Sequence, residues 1–466
     1  MWNFGLINRK AYPKSHYVIL GKMRFDSRNL HDYEALFDEL WPIPRSITGP
    51  GFRRSLEVVS SRMPVALETV ASGTKVFDWT APPEWHFHGA QLIGPDGDVV
   101  LDADDCNLHV LNFSEAVDVE LDLDELQDHL YSIPHQPDRV PYVTSYYDRR
   151  WGFAISERAR SLLRPGRYRA IIRSAHVPGE VVYGSAVLPG ETRREVLLSS
   201  YLCHPSLANN ELSGPLALVG LYHRVKEWSK RRYTYRFLLN PETIGSLCFL
   251  FNHRERVRER TALGLVLTTV GGPENRLSYK RSRQGKTLID RVARHHLDHD
   301  LDVREIRPFD PTEGSDERQF GSPGFDLPIG QMSRTVYGRY REYHTSADDK
   351  AFMTIGSVQD SVNRLERFLL DLELAGPWRN TVAGGEPQLG RRGLYPTVNS
   401  PVHWGHSNDL TIDAKTHLRH LLWILSDSDG TTDLLDTAKH AGTPLPDLRA
   451  AVDELEAANL LEWKGV

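Results

Sequence analysis

Three short apolar runs, each ending in polar residues, constrain this chain more than anything else in it. EVLLSSYLCHP (195–205), YTYRFLLNPETIGS (233–246) and ALGLVLTTVGG (262–272) each read as a buried strand running into a loop. Between the first two lies LSGPLALVGLYHRVKEW (212–228), apolar at helical spacing. Strands buried on both faces need continuous apolar runs, and helices between them supply the cover. The spacing therefore predicts an α/β fold with a mostly parallel sheet. Ligands of such sheets gather outside the carboxyl ends of the strands, where His204 and Glu242 fall.

The flanks have a different texture. In HDYEALFDELWPIPRSIT, Tyr33, Leu36, Phe37 and Leu40 recur at helical spacing until Pro42 and Pro44 stop the helix. FRRSLEVVSSRM predicts a second helix. From FDWTAPPEWHFHGAQLIGPDGDVVLD onward the period falls to two, with a turn at Pro95–Gly97, and this persists to about residue 190. We read 75–190 as an inserted β-rich domain that splits a core made of 29–74 and 191–400, with residues 1 to about 28 as an irregular extension. THLRHLLWILSDSDG, TTDLLDTAKHAG and PLPDLRAAVDELEAANLLEWKG read as three short helices, a winged-helix-like domain over 410–466. Its recognition-helix candidate, DLRAAVDELEAANLL, carries four acidic residues and one arginine. A DNA reader needs cations facing phosphates, so this unit is expected to pack or dock.

Bulk properties narrow the classes. A chain of 466 residues exceeds one ordinary core, and its net charge of -6 disfavours nucleic acid or an anionic membrane as partner. Three cysteines (Cys106, Cys203, Cys248) without C-x-x-C spacing fit a reducing compartment. No run approaches the roughly 18 apolar residues of a membrane span. A soluble, cytoplasmic protein is expected, and a homo-oligomer is compatible with the sequence.

Four loop stretches carry candidate chemistry: CHPSLANNELSG, NPETIGS, EGSDERQFGSPGFDLP and YGRYREYHTSADD. His204, Glu242, Asp316 and His344 offer imidazoles and carboxylates from several strand ends, the ligand types of a hydrolytic metal site. Each has a blander reading: a satisfied polar histidine, or a helix cap for Asp316. Arg339 and Arg341, with Tyr343 beside them, suggest recognition of an acidic substrate group, although loop arginines are commonly solvated. ARHHLDHDLD (293–302) reads as a solvated helix end and Cys203 as a buried strand residue. His403 and His406 stand in PVHWGHSND, C-terminal to these stretches.

The order of those motifs resembles the zinc aminopeptidase superfamily that includes leucyl aminopeptidases and glutaminyl cyclases. LCHPSLANNELSG, EPQLGRRGLYP and EYHTSADD carry a closer likeness to aminopeptidase-like proteins that combine this fold with an inserted β domain and a C-terminal winged helix. The resemblance implies a zinc-peptidase-like core with His204, Asn210, Asp316 and His344 as metal-shell residues and Glu242 as the general base. Two departures stand out. Asn210 occupies the position of a bridging aspartate, and a neutral carboxamide bridges two cations poorly, which implies one zinc ion. NPETIGS has one acid where two adjacent glutamates are usual. Were Glu242 a ligand, the base would come from Glu211, Glu313 or Glu317; if the loop keeps the family's shape, Glu211 points away from the site. The resemblance implies an aminopeptidase-like hydrolase, or an amide-forming enzyme, acting on a small amino-acyl or peptide-like substrate in a biosynthetic pathway. The alternative is an inactive scaffold that keeps the fold.

Overall fold

The computed structural model describes residues 25–382, 384–395 and 414–465. Most of the expected N-terminal extension, together with His403 and His406, lies outside the described residues. The three apolar runs form the centre of an eight-stranded sheet. Glu195–Tyr201 lies parallel between Thr234–Asn240 and Thr261–Leu267, and Ile329–Ser333 extends the parallel set. Every residue of Glu195–Tyr201 and Thr261–Leu267 is buried, which is why these strands read as unbroken apolar runs. Val303–Arg307 and Leu277–Lys280 close one edge, and the antiparallel pair Glu180–Leu188 and Ala66–Ala71 the other.

The strand Glu180–Leu188 corrects the expected boundary at 190. Seven of its nine residues are buried and it pairs with Thr234–Asn240, so it belongs to the core sheet. Its alternating sequence cannot tell one sheet from another, because pairing partners are set by tertiary packing. The inserted segment instead centres on a four-stranded antiparallel sheet of Val99–Asp102, Glu84–Ile93, Arg167–Val177 and Val117–Asp122, with its own apolar cluster around Leu92, Tyr168 and Ile172.

Helices Leu30–Leu40, Ser213–Glu227 and Ile355–Leu374 pack against one another on the core. Gly214 is required where the second begins: a Cβ there would stand 2.6 Å from the Leu267 carbonyl. The C-terminal unit has the three expected helices, Ala414–Asp427, Leu434–Ala441 and Arg449–Ala457. A three-stranded sheet joins them, and its strand Pro377–Asn380 starts before the expected boundary.

The recognition-helix candidate faces the core. Arg449 donates to the Leu370 carbonyl at 2.7 Å, and Glu456 pairs with Arg232 and Lys230. Arg291 on the helix Leu288–Asp298 pairs with Asp433 and Asp436. His295 and His296, expected at a solvated helix end, are buried in this seam. His295 Nε2 accepts the Leu445 amide at 2.8 Å and His296 Nε2 lies 3.0 Å from Asp371. Their polar neighbours in sequence gave no sign that a second domain would cover them.

Candidate active site

The carboxyl ends of the central strands converge on His204 and Glu242. His204 lies three positions beyond the end of Glu195–Tyr201, is 4% exposed, and its Nδ1 stands 2.5 Å from Glu211 Oε2. Its other ring nitrogen, Nε2, stands 3.7 Å from Glu242 Oε2. Glu211 therefore points toward the site, contrary to the expectation that it turns away. The cause is local: Ala208–Leu212 is a π-helical turn, closed by the Leu212 amide on the Leu207 carbonyl. That widened turn brings the carboxylate at 211 round to His204, next to the carboxamide at 210. Asp348 fixes the turn by accepting the amides of Asn209 (2.6 Å) and Asn210 (2.9 Å). Burial raises the Asp348 pKa to about 7 against the pull of those amides.

Glu242 leaves Thr234–Asn240 through Pro241 and precedes Thr243, whose φ of +64° is left-handed for a β-branched residue. Two contacts hold this strained turn. Ser315 Oγ donates to Glu242 Oε1 at 2.6 Å, and the Asp316 carboxylate accepts from Thr243 N (2.7 Å), Asn240 Nδ2 (2.8 Å) and Ser246 Oγ (3.0 Å). Asp316, expected in the metal shell, thereby also shapes the Glu242 loop. Burial, with Glu242 adding to it, raises the Asp316 pKa to about 7. Behind it Glu317, fully buried, takes Lys280 Nζ (3.0 Å), Gln331 Nε2 (3.0 Å) and the Ser315 amide. Burial also raises Glu242, opposed by His204 and the Ser315 hydroxyl.

His344 is brought to the same place by a left-handed backbone (φ +54°), its ring 5.8 Å from that of His204. Tyr343 stacks on it at 3.9 Å. Tyr142, from the inserted segment, stands edge-on to both histidines, at 4.9 and 5.3 Å. Residues 139–146 are laced onto 341–346. The Tyr142 amide donates to the His344 carbonyl and the Ser346 amide to the Val140 carbonyl, both at 2.8 Å, and Arg139 pairs with Glu342. Arg339 is turned away, pairing with Glu305 at 2.8 Å, and the Arg341 carbonyl accepts from Arg139. Arg339 is thereby engaged away from the two histidines.

Arg45 and Cys203 complete the surroundings. Arg45 is fully buried after the first helix; its guanidinium reaches the carbonyls of Leu40 and His204, and its Nε lacks a partner. Burial lowers its pKa to about 10, so it stays cationic near Glu211. Burial pushes the Cys203 thiol up to about 12, which leaves it neutral at physiological pH. Burial opposes a proton on His204, but the nearby groups outweigh it and hold its pKa well above the ordinary value. Those groups are Cys203 first and then Glu211, which is hydrogen-bonded to Nδ1. His344 has no such partner, and burial beside His204 lowers it to about 3.

Imidazole and carboxylate donors of the kind that hold zinc gather at this turn. His204 Nε2 and Glu242 Oε2 face each other across 3.7 Å, an imidazole nitrogen opposite a carboxylate oxygen. A carboxylate on the far nitrogen, as Glu211 provides, is what orients a metal-binding imidazole. Glu211 Oε1 and Asn210 Nδ2 are buried at the same turn without partners. Cys203, His204 and Glu211 bring their donor atoms within 4.8 Å of one another. Sequence reasoning did not single out Tyr142, Arg45, Ser315 or Asp348. Only Asp348 left a signal, as the acid following His344 in YHTSADD.

Against known proteins, residues 34–374 match the family described as a domain of unknown function, DUF4910, and residues 376–463 match a winged helix-turn-helix. The chain belongs to this family. A provisionally named polysaccharide biosynthesis protein with an aminopeptidase-like domain, from Clostridium acetobutylicum, is 38% identical over 92% of this chain and 95% of its own. A crystal structure of a provisionally named peptidase from the same organism superposes with a TM-score of 0.83, at 35% identity, covering 94% of this chain and 97% of the other. The zinc aminopeptidase BSAP of Bacillus subtilis shares the fold at a TM-score of 0.54 and 12% identity, over 75% of this chain and 95% of its own. The core is a zinc-peptidase-like α/β fold carrying additional β sheets and a C-terminal winged helix. No helix among the described residues is long and apolar enough to cross a membrane.

Proposed function

We propose that the chain is a zinc-dependent, aminopeptidase-like hydrolase, or the corresponding amide-forming enzyme, acting on a small amino-acyl or peptide-like substrate. The observation that carries this reading is Glu242 facing the open nitrogen of His204 while Glu211 occupies the other. His204 and His344 would hold the ion, with Asn210 as a neutral neighbour; Glu211 supplies the charge that Asn210 lacks. When bound, zinc would polarise the scissile carbonyl and make an attacking water more acidic. Glu242 accepts that water's proton on Oε2 while Ser315 pins Oε1, then passes it to the departing amine. Tyr142 and Tyr343 wall the histidines from solvent, which strengthens every charge interaction inside. A place in a biosynthetic pathway is supported by what the Clostridium relative is named for.

Zinc content per chain, measured by elemental analysis on untagged protein, tests the reading together with the Asn210→Asp variant. About one zinc natively, rising toward two in the variant, with hydrolysis of aminoacyl amides, is the expected result. No zinc and no hydrolysis in either protein would leave a scaffold that kept the fold without its chemistry.

A further inference from the structure

A cleft of about 430 Å³ runs along the seam between the core and the C-terminal unit. The helix Leu288–Asp298 and the turn before it form one wall, and the helix Leu434–Ala441 forms the other. We propose that this cleft binds a phosphate group, free or borne by a small molecule, between Arg281 and Lys286 of the core and Lys439 of the winged helix. The site is separate from the strand-end histidines, and its ligand touches both units.

Charge comes first. Five arginines and lysines and three carboxylates line the cleft, and all three carboxylates are taken. Asp436 pairs with Arg291 at 3.1 Å and Asp298 with Arg294 at 3.6 Å. Asp290 is buried, where it accepts the Tyr279 hydroxyl at 2.8 Å and the amides of Ser282 (2.9 Å) and Thr287 (2.8 Å). Asp290 thereby fills the start of the helix Leu288–Asp298, so anion recognition falls to side chains and not to the helix end. Arg281, Lys286 and Lys439 remain, and among the described residues none of them has a side-chain hydrogen bond or ion pair. His295, 9% exposed on the same wall, adds a donor. Burial keeps its ring neutral, with a pKa lowered to about 4. Since Nε2 accepts the Leu445 amide, the ring's proton sits on Nδ1, which has no partner among the described residues.

Charge and size together select the ligand. A phosphate monoester carries about −1.5 to −2 at neutral pH and three acceptor oxygens, whereas one carboxylate would leave two of the three cations unrelieved. The guanidinium of Arg281 is a planar fork that matches phosphate. The volume falls in the range of about 300–1,000 Å³ usual for small-molecule sites, which leaves room for a body beyond the phosphate. A nucleic-acid strand fits worse, because the exposed carboxylates of Asp298 and Asp436 flank the cleft and the whole chain carries -6. A bound phosphate relieves the like charges that face each other across the seam and so fastens the winged helix to the core.

Calorimetric titration of the full chain with inorganic phosphate, AMP and glucose 1-phosphate tests this, with adenosine and glucose as phosphate-free counterparts. The esters should bind at least roughly 10-fold more tightly than their counterparts. Lys286→Ala and Lys439→Ala, at exposed positions without partners, should each weaken binding about 10-fold. Arg167→Ala, which removes an exposed cation from the inserted sheet, should leave it unchanged. Saturating AMP should raise the melting temperature of the parent by about 2 °C, and that of the double lysine variant by less. An ester that outbinds inorganic phosphate names a phosphorylated molecule as the ligand, and equal binding names the free ion; both sustain the site. No binding of any phosphate probe at millimolar concentration, or binding indifferent to both lysine substitutions, overturns the proposal. So does a short DNA duplex that binds through the same lysines more tightly than AMP, which would make the cleft a nucleic-acid face.

Discussion

Two pairs of histidines sit in different parts of the molecule, one at the strand ends and one under the winged helix, and the contrast between them separates a candidate site from a seam. At the strand ends, His204 is held by Glu211 through one nitrogen and presents the other toward Glu242, with His344 beside it. Under the winged helix, His295 and His296 have Nε2 atoms committed to the Leu445 amide and to Asp371. Burial and a nearby carboxylate are common to His204 and His296. His296 too leaves Nδ1 without a hydrogen bond, 3.9 Å from Asp302, so what differs is place: of the four, His204 and His344 stand at the carboxyl ends of the parallel strands. A buried histidine is thus no signature of chemistry until its place in the fold has been accounted for.

That distinction can be broken most sharply at Glu242. Glu242→Gln keeps the shape and removes the proton acceptor, so aminoacyl-amide turnover should fall by roughly 10²–10⁴-fold. Zinc content and melting temperature should stay near those of the parent. A variant that keeps its activity would remove Glu242 from the chemistry. Next in size, Glu211→Gln weakens the hold on His204 Nδ1, and metal affinity should drop about 10–100-fold in competition with a chelator dye. If affinity is unchanged, His204 is oriented by something other than Glu211.

The same operation at the seam should have the opposite signature. His296→Leu removes the partner of Asp371 and should cost roughly 2 kcal/mol of stability, read by chemical denaturation, with kcat and zinc content untouched. Smallest is the pH response of His295. Burial, reinforced by His299 and His296, lowers its pKa to about 4 in the folded chain, below the ordinary value of roughly 6.5. Between those values the unfolded chain takes up a proton that the folded one refuses, so stability falls with pH across that window and is complete above it. The melting temperature should drop by about 2 °C more in the parent than in His295→Gln between pH 7 and 5. Parallel curves would mean the seam does not sense that proton.

The contrast also shows what the amino-acid order made legible. Glu195–Tyr201, Thr234–Asn240 and Thr261–Leu267 were readable because burial on both faces leaves an unbroken apolar run. His204 and Glu242 followed, since each sits just beyond such a strand. Glu211 was not readable: a π-helical turn shifts which side chain faces inward by one position, and nothing in ANNEL distinguishes it from a regular turn. The three donors around Asp316 were not readable either, because an acid in a Ser-Asp step reads alike whether or not hydrogen-bond donors surround it. Tyr142 and the burial of His295 depend on contacts between segments roughly 60 to 200 positions apart, which no local pattern encodes.

The lacing of 139–146 onto 341–346 has a bearing on how the molecule comes into being. Pro141 bridges to Thr345 across 204 positions, and the Tyr142 amide closes on the His344 carbonyl. Loops of that length are entropically costly to close before other contacts repay them, so such contacts form late in folding. The apolar strands can assemble first around their own cores, while His344 waits for a segment from another sheet to fix its backbone. A chain caught before that step would have a complete hydrophobic interior and an unassembled strand-end site, which makes that site the last part of the molecule to take shape during biogenesis.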